Sequence, residues 1–87
     1  MSLNFPNPSR SYDVSRTGVR FWGHEGALEV SFVLEREALL RISPGTSQSE
    51  DALLSAFDRN RSQILVVAKK VYARRRLGSY TLTASDF

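Results

Sequence analysis

The chain has 87 residues, 41% of them hydrophobic and 24% charged, with a formal net charge of +3. That length suits one small domain, that balance argues against a disordered chain, and no stretch approaches the roughly 20 apolar residues of a membrane-spanning helix. With no cysteine present, disulfides, thiolate nucleophiles and cysteine-held metals are excluded as well.

Residues 1–10, with Pro6 and Pro8, cannot offer a regular hydrogen-bond ladder and read as an extended N-terminal arm of a single domain, 1–87. The arm shows no basic start followed by an apolar run, so the expected compartment is the cytoplasm. Ser11 to Val14 reads as a short strand. Ser15-Arg16-Thr17-Gly18 follows as a turn, with the glycine available for positive φ. Val19 to Trp22 is a second strand, and Gly23-His24-Glu25-Gly26 reads as a compact turn bracketed by glycines. The third strand has the clearest period: Leu28, Val30, Phe32 and Leu34 point one way, Glu29, Ser31 and Glu35 the other. Such alternation puts one face on a core and one in water, with Val33 the apolar exception on the wet side.

Glu35 to Ile42 switches to helix formers, and Ser43-Pro44-Gly45 ends the run because proline disfavours helix in the residue before it. Ser47 stands three residues before Glu50, the spacing of a capping box. From Glu50 to about Arg75, Leu53, Leu54, Phe57, Ile64, Ala68, Val71 and Tyr72 share one stripe at helical spacing. One helix of that length would run about 39 Å, unusual in so small a domain. Arg61 falls inside the stripe, so either it snorkels or pairs with an acid, or the helix breaks near Asp58-Arg59-Asn60; the expectation is one helix with a possible kink. Leu77-Gly78 is the expected stop, and Ser79 to Thr83 a last strand. The fold class is therefore α+β. Three meander strands and a C-terminal strand form an antiparallel sheet, packed by one long helix with a short helix between.

Charge is distributed unevenly. Residues 1–58 carry five bases and eight acids, whereas residues 59–87 carry seven bases and one acid. Acids at the start and bases at the end of a helix complement its dipole, which accounts for much of the asymmetry. A polyanion surface is the other reading. Arg59, Lys70 and Arg74, with Lys69 and Arg76 beside them, would form a basic stripe able to contact phosphates. Trp22 shares a strand face with Arg20 and His24, an aromatic-with-cation pattern that single-strand binders use to stack bases. In a domain short of core material, the plainer expectation is that the proline-rich arm covers Trp22 through Phe5. The candidate binding surface is thus Arg20, Trp22, His24, Arg59, Lys70 and Arg74.

Catalysis finds little support. His24 is the single histidine, and no zinc, phosphate-loop, dinucleotide or nucleophile-elbow motif occurs. The carboxylate pairs Glu35/Glu37 and Glu50/Asp51 fall at helix starts, where acids stabilise the end dipole without acid–base work. The expectation is a protein that is not an enzyme, with no cofactor and no metal.

Asn4-Phe5-Pro6-Asn7-Pro8-Ser9-Arg10-Ser11-Tyr12-Asp13, Val19-Arg20-Phe21-Trp22-Gly23, Ala56-Phe57-Asp58 with Arg61, and the closing Gly78 to Phe87 resemble a group of short bacterial proteins catalogued as domain of unknown function 1488. The resemblance covers essentially the whole chain. It implies a bacterial, cytoplasmic, single-domain protein with no established activity, so it assigns no functional residues. The expected function is a non-catalytic interaction or accessory domain whose partner is another protein or a second copy of itself. The alternative is a weak nucleic-acid binder that uses the basic helix stripe and the aromatic sheet face.

Overall fold

A computed structural model describes residues 3–74 and 79–87 of the chain. Strands β1 (Arg10–Asp13), β2 (Gly18–Glu25) and β3 (Leu28–Glu35) form the expected antiparallel meander. Helices α1 (Arg36–Ile42), α2 (Glu50–Arg59) and α3 (Arg61–Arg74) follow, then β4 (Ser79–Leu82) and a short 3-10 turn, Ala84–Asp86. The sheet order is β1-β2-β3-β4, and the fold is α+β. The last strand lies beside β3 in parallel, with Phe32 opposite Tyr80 and Leu34 opposite Leu82. A parallel neighbour requires a long crossover, and the three helices supply it.

The β1–β2 turn differs in detail from its expected form. The positive φ falls on Thr17, at 51°, and Gly18 is already a strand residue. Gly18 is needed for closeness, since a Cβ there would lie 2.5 Å from the Leu34 carbonyl oxygen. Thr17 O in turn accepts from Arg36 N at 3.0 Å, which satisfies a free donor at the start of α1.

Strand β2 also runs further than its glycines suggest. Residues 23–25 are in the ladder, with Gly23 opposite Val30 and Glu25 opposite Leu28. The turn is only Gly26-Ala27, with Gly26 at φ 61°, as in a type II′ hairpin. Gly23 is compatible with a strand because the arm packs on it. A Cβ there would meet Phe5 at 2.8 Å and Leu3 at 3.0 Å.

The long helix is two helices. Asn60 ends α2 at φ −111°, its side-chain amide donating to Ala56 O at 2.8 Å and its N–H reaching both Ala56 O and Phe57 O. Arg61 opens α3 on the same side as Ile64 and Ala68, and its side chain snorkels out over the end of α2. Its guanidinium lies 5.0 Å from the Phe57 ring centroid and donates to Pro8 O. The N-cap of α2 is Ser49, whose hydroxyl accepts from Ala52 N at 3.3 Å, whereas Ser47, two residues earlier in the loop, accepts from Ser49 N. The expected stop at Leu77-Gly78, and Arg75 and Arg76, lie outside the described residues.

All three helices bury their apolar residues on one side of the sheet. Leu39 of α1, Leu53 and Phe57 of α2, and Ile64 and Tyr72 of α3 join Val19, Phe21, Val30, Phe32 and Leu34 in one cluster. Phe21 is central to it, 5.1 Å from Phe32, 5.2 Å from Phe57 and 6.0 Å from Phe5 between ring centroids. The arm is therefore part of the core rather than a lead-in. Leu3 is buried, and Asn4 pairs with His24 through two backbone hydrogen bonds of 2.8 and 2.7 Å.

Candidate binding surfaces

The period of two that buries Val19, Phe21, Gly23 and Glu25 places Arg20, Trp22 and His24 on the opposite, helix-free side of β2. All three are half-buried. Phe5 does not cover Trp22 as expected, because it turns to the core side and packs on Gly23. Across the sheet Trp22 faces Ser31 of β3, itself opposite Ser79 of β4, so small polar residues continue the row beside the indole.

Charge on this open face is mixed. Arg20 donates to Asp13 at 2.7 Å, and that hydrogen bond, with those from the Ser15 hydroxyl and Arg16 N, holds the Asp13 carboxyl down at about 2. Arg16 reaches from the β1–β2 turn to Thr81 on β4 at 2.8 Å. Thr81 and Arg20 flank Val33, an aliphatic residue pointing this way that is only 3% exposed. At the other end His24 stands directly opposite Glu29, while Glu35 pairs with Gly18. Three carboxylates accompany two guanidiniums here, which is a poor field for a polyanion.

Arg59, Lys70 and Arg74 lie in the helical layer, on the far side of the sheet from Trp22, and all three are exposed. The break at Asn60 also separates Arg59, at the end of α2, from Lys70 and Arg74 on α3. The structure thus gathers Arg20, Trp22 and His24 on one surface and Lys69, Lys70 and Arg74 on another. The single continuous surface that the nucleic-acid alternative requires is not formed.

Sequence reasoning missed a third constellation. Arg10 donates from Nε to Asp58 Oδ1 at 3.0 Å and from Nη2 to Asp58 Oδ2 at 2.8 Å. Hydrogen bonding to Arg10 lowers the Asp58 pKa and raises that of Arg10. With Arg61 on Pro8 O, these residues and Ser9 line a shallow depression of about 490 Å³ and strap the arm to the α2–α3 corner. Tyr72 donates to the buried Glu25 carboxylate on the core side. Among the described residues, no group of three or more His, Asp or Glu side chains is placed to hold a metal ion, and no helix is long and apolar enough to cross a membrane.

The model of a family described as "Protein of unknown function (DUF1488)" matches residues 3–83. No curated protein is similar to the chain in sequence. Among solved structures, that of a protein of unknown function from the DUF1488 family of Shewanella loihica PV-4 superposes with a TM-score of 0.83 at 17% identity, covering 93% of this chain and 91% of that one. At that identity the likeness speaks to the fold.

Proposed function

The chain belongs to the DUF1488 family of proteins of unknown function, and from that premise we propose that it is a non-catalytic interaction domain of the bacterial cytoplasm. It works by pairing the open sheet face with the same face of a second copy. A bacterial source is supported by the similar solved chain, which comes from Shewanella loihica; the compartment rests on the sequence reading. The non-catalytic part is supported by the commitments of the acids. Asp13 is held by Arg20, Asp58 by Arg10, and Glu25 accepts from Tyr72.

The observation that carries the pairing is the order of side chains along the open face: Arg20 at one end, Trp22 in the middle, His24 opposite Glu29 at the other. A twofold axis in the plane of the face and perpendicular to the strands would set the Arg20 end of one copy against the Glu29 end of the other. Trp22 would then lie near the axis, where a large amphipathic anchor contributes most. Strands spaced about 4.8 Å apart and rising about 3.4 Å per residue give a face of at most about 500 Å². That is below the usual area per partner in a stable complex, so the dimer is a weak, concentration-dependent one.

Light scattering and sedimentation over a wide concentration range test it. The expected result is an apparent mass that rises toward twice the monomer at high concentration. Trp22→Ala and Glu29→Arg should each hold the chain monomeric with its circular dichroism unchanged. A chain that stays monomeric up to about millimolar concentration, where even weak interfaces are populated, would sink the reading.

A further inference from the structure

We propose that the outward face of α3 is a phosphate-contacting surface for duplex nucleic acid, a second surface independent of the sheet face. From Arg59 to Ser85 the sequence carries seven bases and no acid. Helix α3 shows how part of that charge is presented. Ile64, Ala68 and Tyr72 face the core, while Ser62, Gln63, Val66, Lys69, Lys70, Ala73 and Arg74 are exposed. At 100° per residue these seven occupy one arc of about 140°, centred opposite the buried stripe. The cations Arg10, Arg20 and Arg36 each have a carboxylate partner. Among the described residues, Lys69, Lys70 and Arg74 have no ion pair.

The helix dipole does not account for all of this. Its favourable effect on cations is confined to the last turn, which holds Arg74 but not Lys69 or Lys70. Ser62 to Arg74 spans about 18 Å of helix at 1.5 Å per residue, long enough for its cations to meet successive phosphates of one strand. The serine hydroxyl and the glutamine amide add neutral donors of the kind that contact phosphate.

The chemistry of the face selects the partner. A membrane surface would need an apolar face to insert, and the large apolar residues of α3 are mostly turned to the core, leaving Val66, 52% exposed, and the small Ala73 among the cations. A single strand would need aromatic side chains to stack on, and the exposed arc has none, while Trp22 belongs to the far side of the sheet. A protein partner would need a buried anchor, which the arc also lacks. A regular line of phosphates needs only the unneutralised cations.

The test is fluorescence anisotropy of a labelled duplex titrated with the full chain at several salt concentrations. Parallel titrations use the corresponding single strand and anionic phospholipid vesicles. Three phosphate contacts predict an affinity that falls about 40-fold between about 50 and 200 mM salt, without sequence preference. Lys69→Gln with Lys70→Gln should weaken binding at low salt and reduce that fall to about 3- to 4-fold. The charge-matched pair Arg36→Gln with Arg41→Gln should leave the salt dependence unchanged, as should Trp22→Ala, which separates this surface from the sheet face. Salt-independent or absent duplex binding would overturn the proposal. So would equal loss in the two charge-matched pairs, stronger binding to the single strand, or stronger binding to the vesicles.

Discussion

Arg10 and Asp58 stand 48 residues apart in sequence and meet in a two-pronged ion pair, the guanidinium fork against both carboxylate oxygens. The pair joins β1 to the end of α2, and Arg61 completes the hold by donating to Pro8 O next to it. Both side chains are partly exposed, at 33% and 47%. Solvent and salt therefore screen the pair, and its contribution is that of a well-formed surface ion pair, about 1 kcal/mol or less. Arg10→Ala, Asp58→Ala and the double variant, melted in urea, should give a coupling energy in that range that shrinks in high salt. A coupling above about 2 kcal/mol would mean that the pair is far better shielded than its exposure indicates.

Gly23 predicts a larger effect from a single methyl group. A Cβ at that position runs into the rings and branches of Phe5 and Leu3. Gly23→Ala should therefore destabilise the protein by about 1–3 kcal/mol, the usual cost of overpacking a filled core. Because the relief available is outward movement of the arm, proteolysis should cut the variant near residues 5–9 well before the rest of the chain. Wild-type resistance at those residues in the variant would contradict the arrangement.

Asp13 gives a pH dependence with a definite sign. Its carboxyl titrates at about 2 instead of the ordinary 3.8, first because Arg20 donates to it, then because Ser15 and Arg16 N do. A group whose pKa is depressed on folding stabilises the protein above its unfolded value and loses that contribution as pH falls through the folded value. The urea midpoint of Asp13→Asn should thus lie below that of the wild type at neutral pH. The gap should close between about pH 4 and pH 2. A gap independent of pH would show that the carboxylate charge is not what the hairpin uses.

Ser47 and Ser49 offer a direct comparison of two hydroxyls two residues apart. Ser49 accepts from Ala52 N, a free donor in the first turn of α2, whereas Ser47 accepts from Ser49 N in the loop. Ser49→Ala should cost about 1 kcal/mol by thermal or urea melting, the usual value of an N-cap. Ser47→Ala should cost a few tenths at most, and the reverse order would move the helix start back to Ser47.

These cases show what kind of information the sequence carries on its face. The alternation of Leu28, Val30, Phe32 and Leu34 and the helix formers before Pro44 are local signals, and β3 and α1 appear where those signals put them. That Arg20, Trp22 and His24 share a face is equally local, a consequence of period two. What escaped depended on distant partners. Gly23 looks like turn chemistry until Phe5 is seen packed on it. Ser47 has the capping-box spacing and Ser49, three residues before Ala52, does not, yet the path of the preceding loop makes Ser49 the cap. Asn60 breaks the helix in a stretch whose apolar spacing continues, so the stripe that joined Arg59 to Lys70 and Arg74 came apart at a single residue. The direction of β4 has no local signature at all.

That direction has a cost in the order of assembly. The three meander strands close on short turns and can form from neighbours in sequence, but β4 reaches β3 only after the helical crossover has folded between them. Until then β3 is an unprotected strand edge bearing Val30, Phe32, Val33 and Leu34, four of the residues that the finished protein buries most completely. A half-assembled molecule can satisfy that edge with another half-assembled molecule, so the hazard from β3 is concentrated in refolding at high concentration, and it ends once β4 covers that edge.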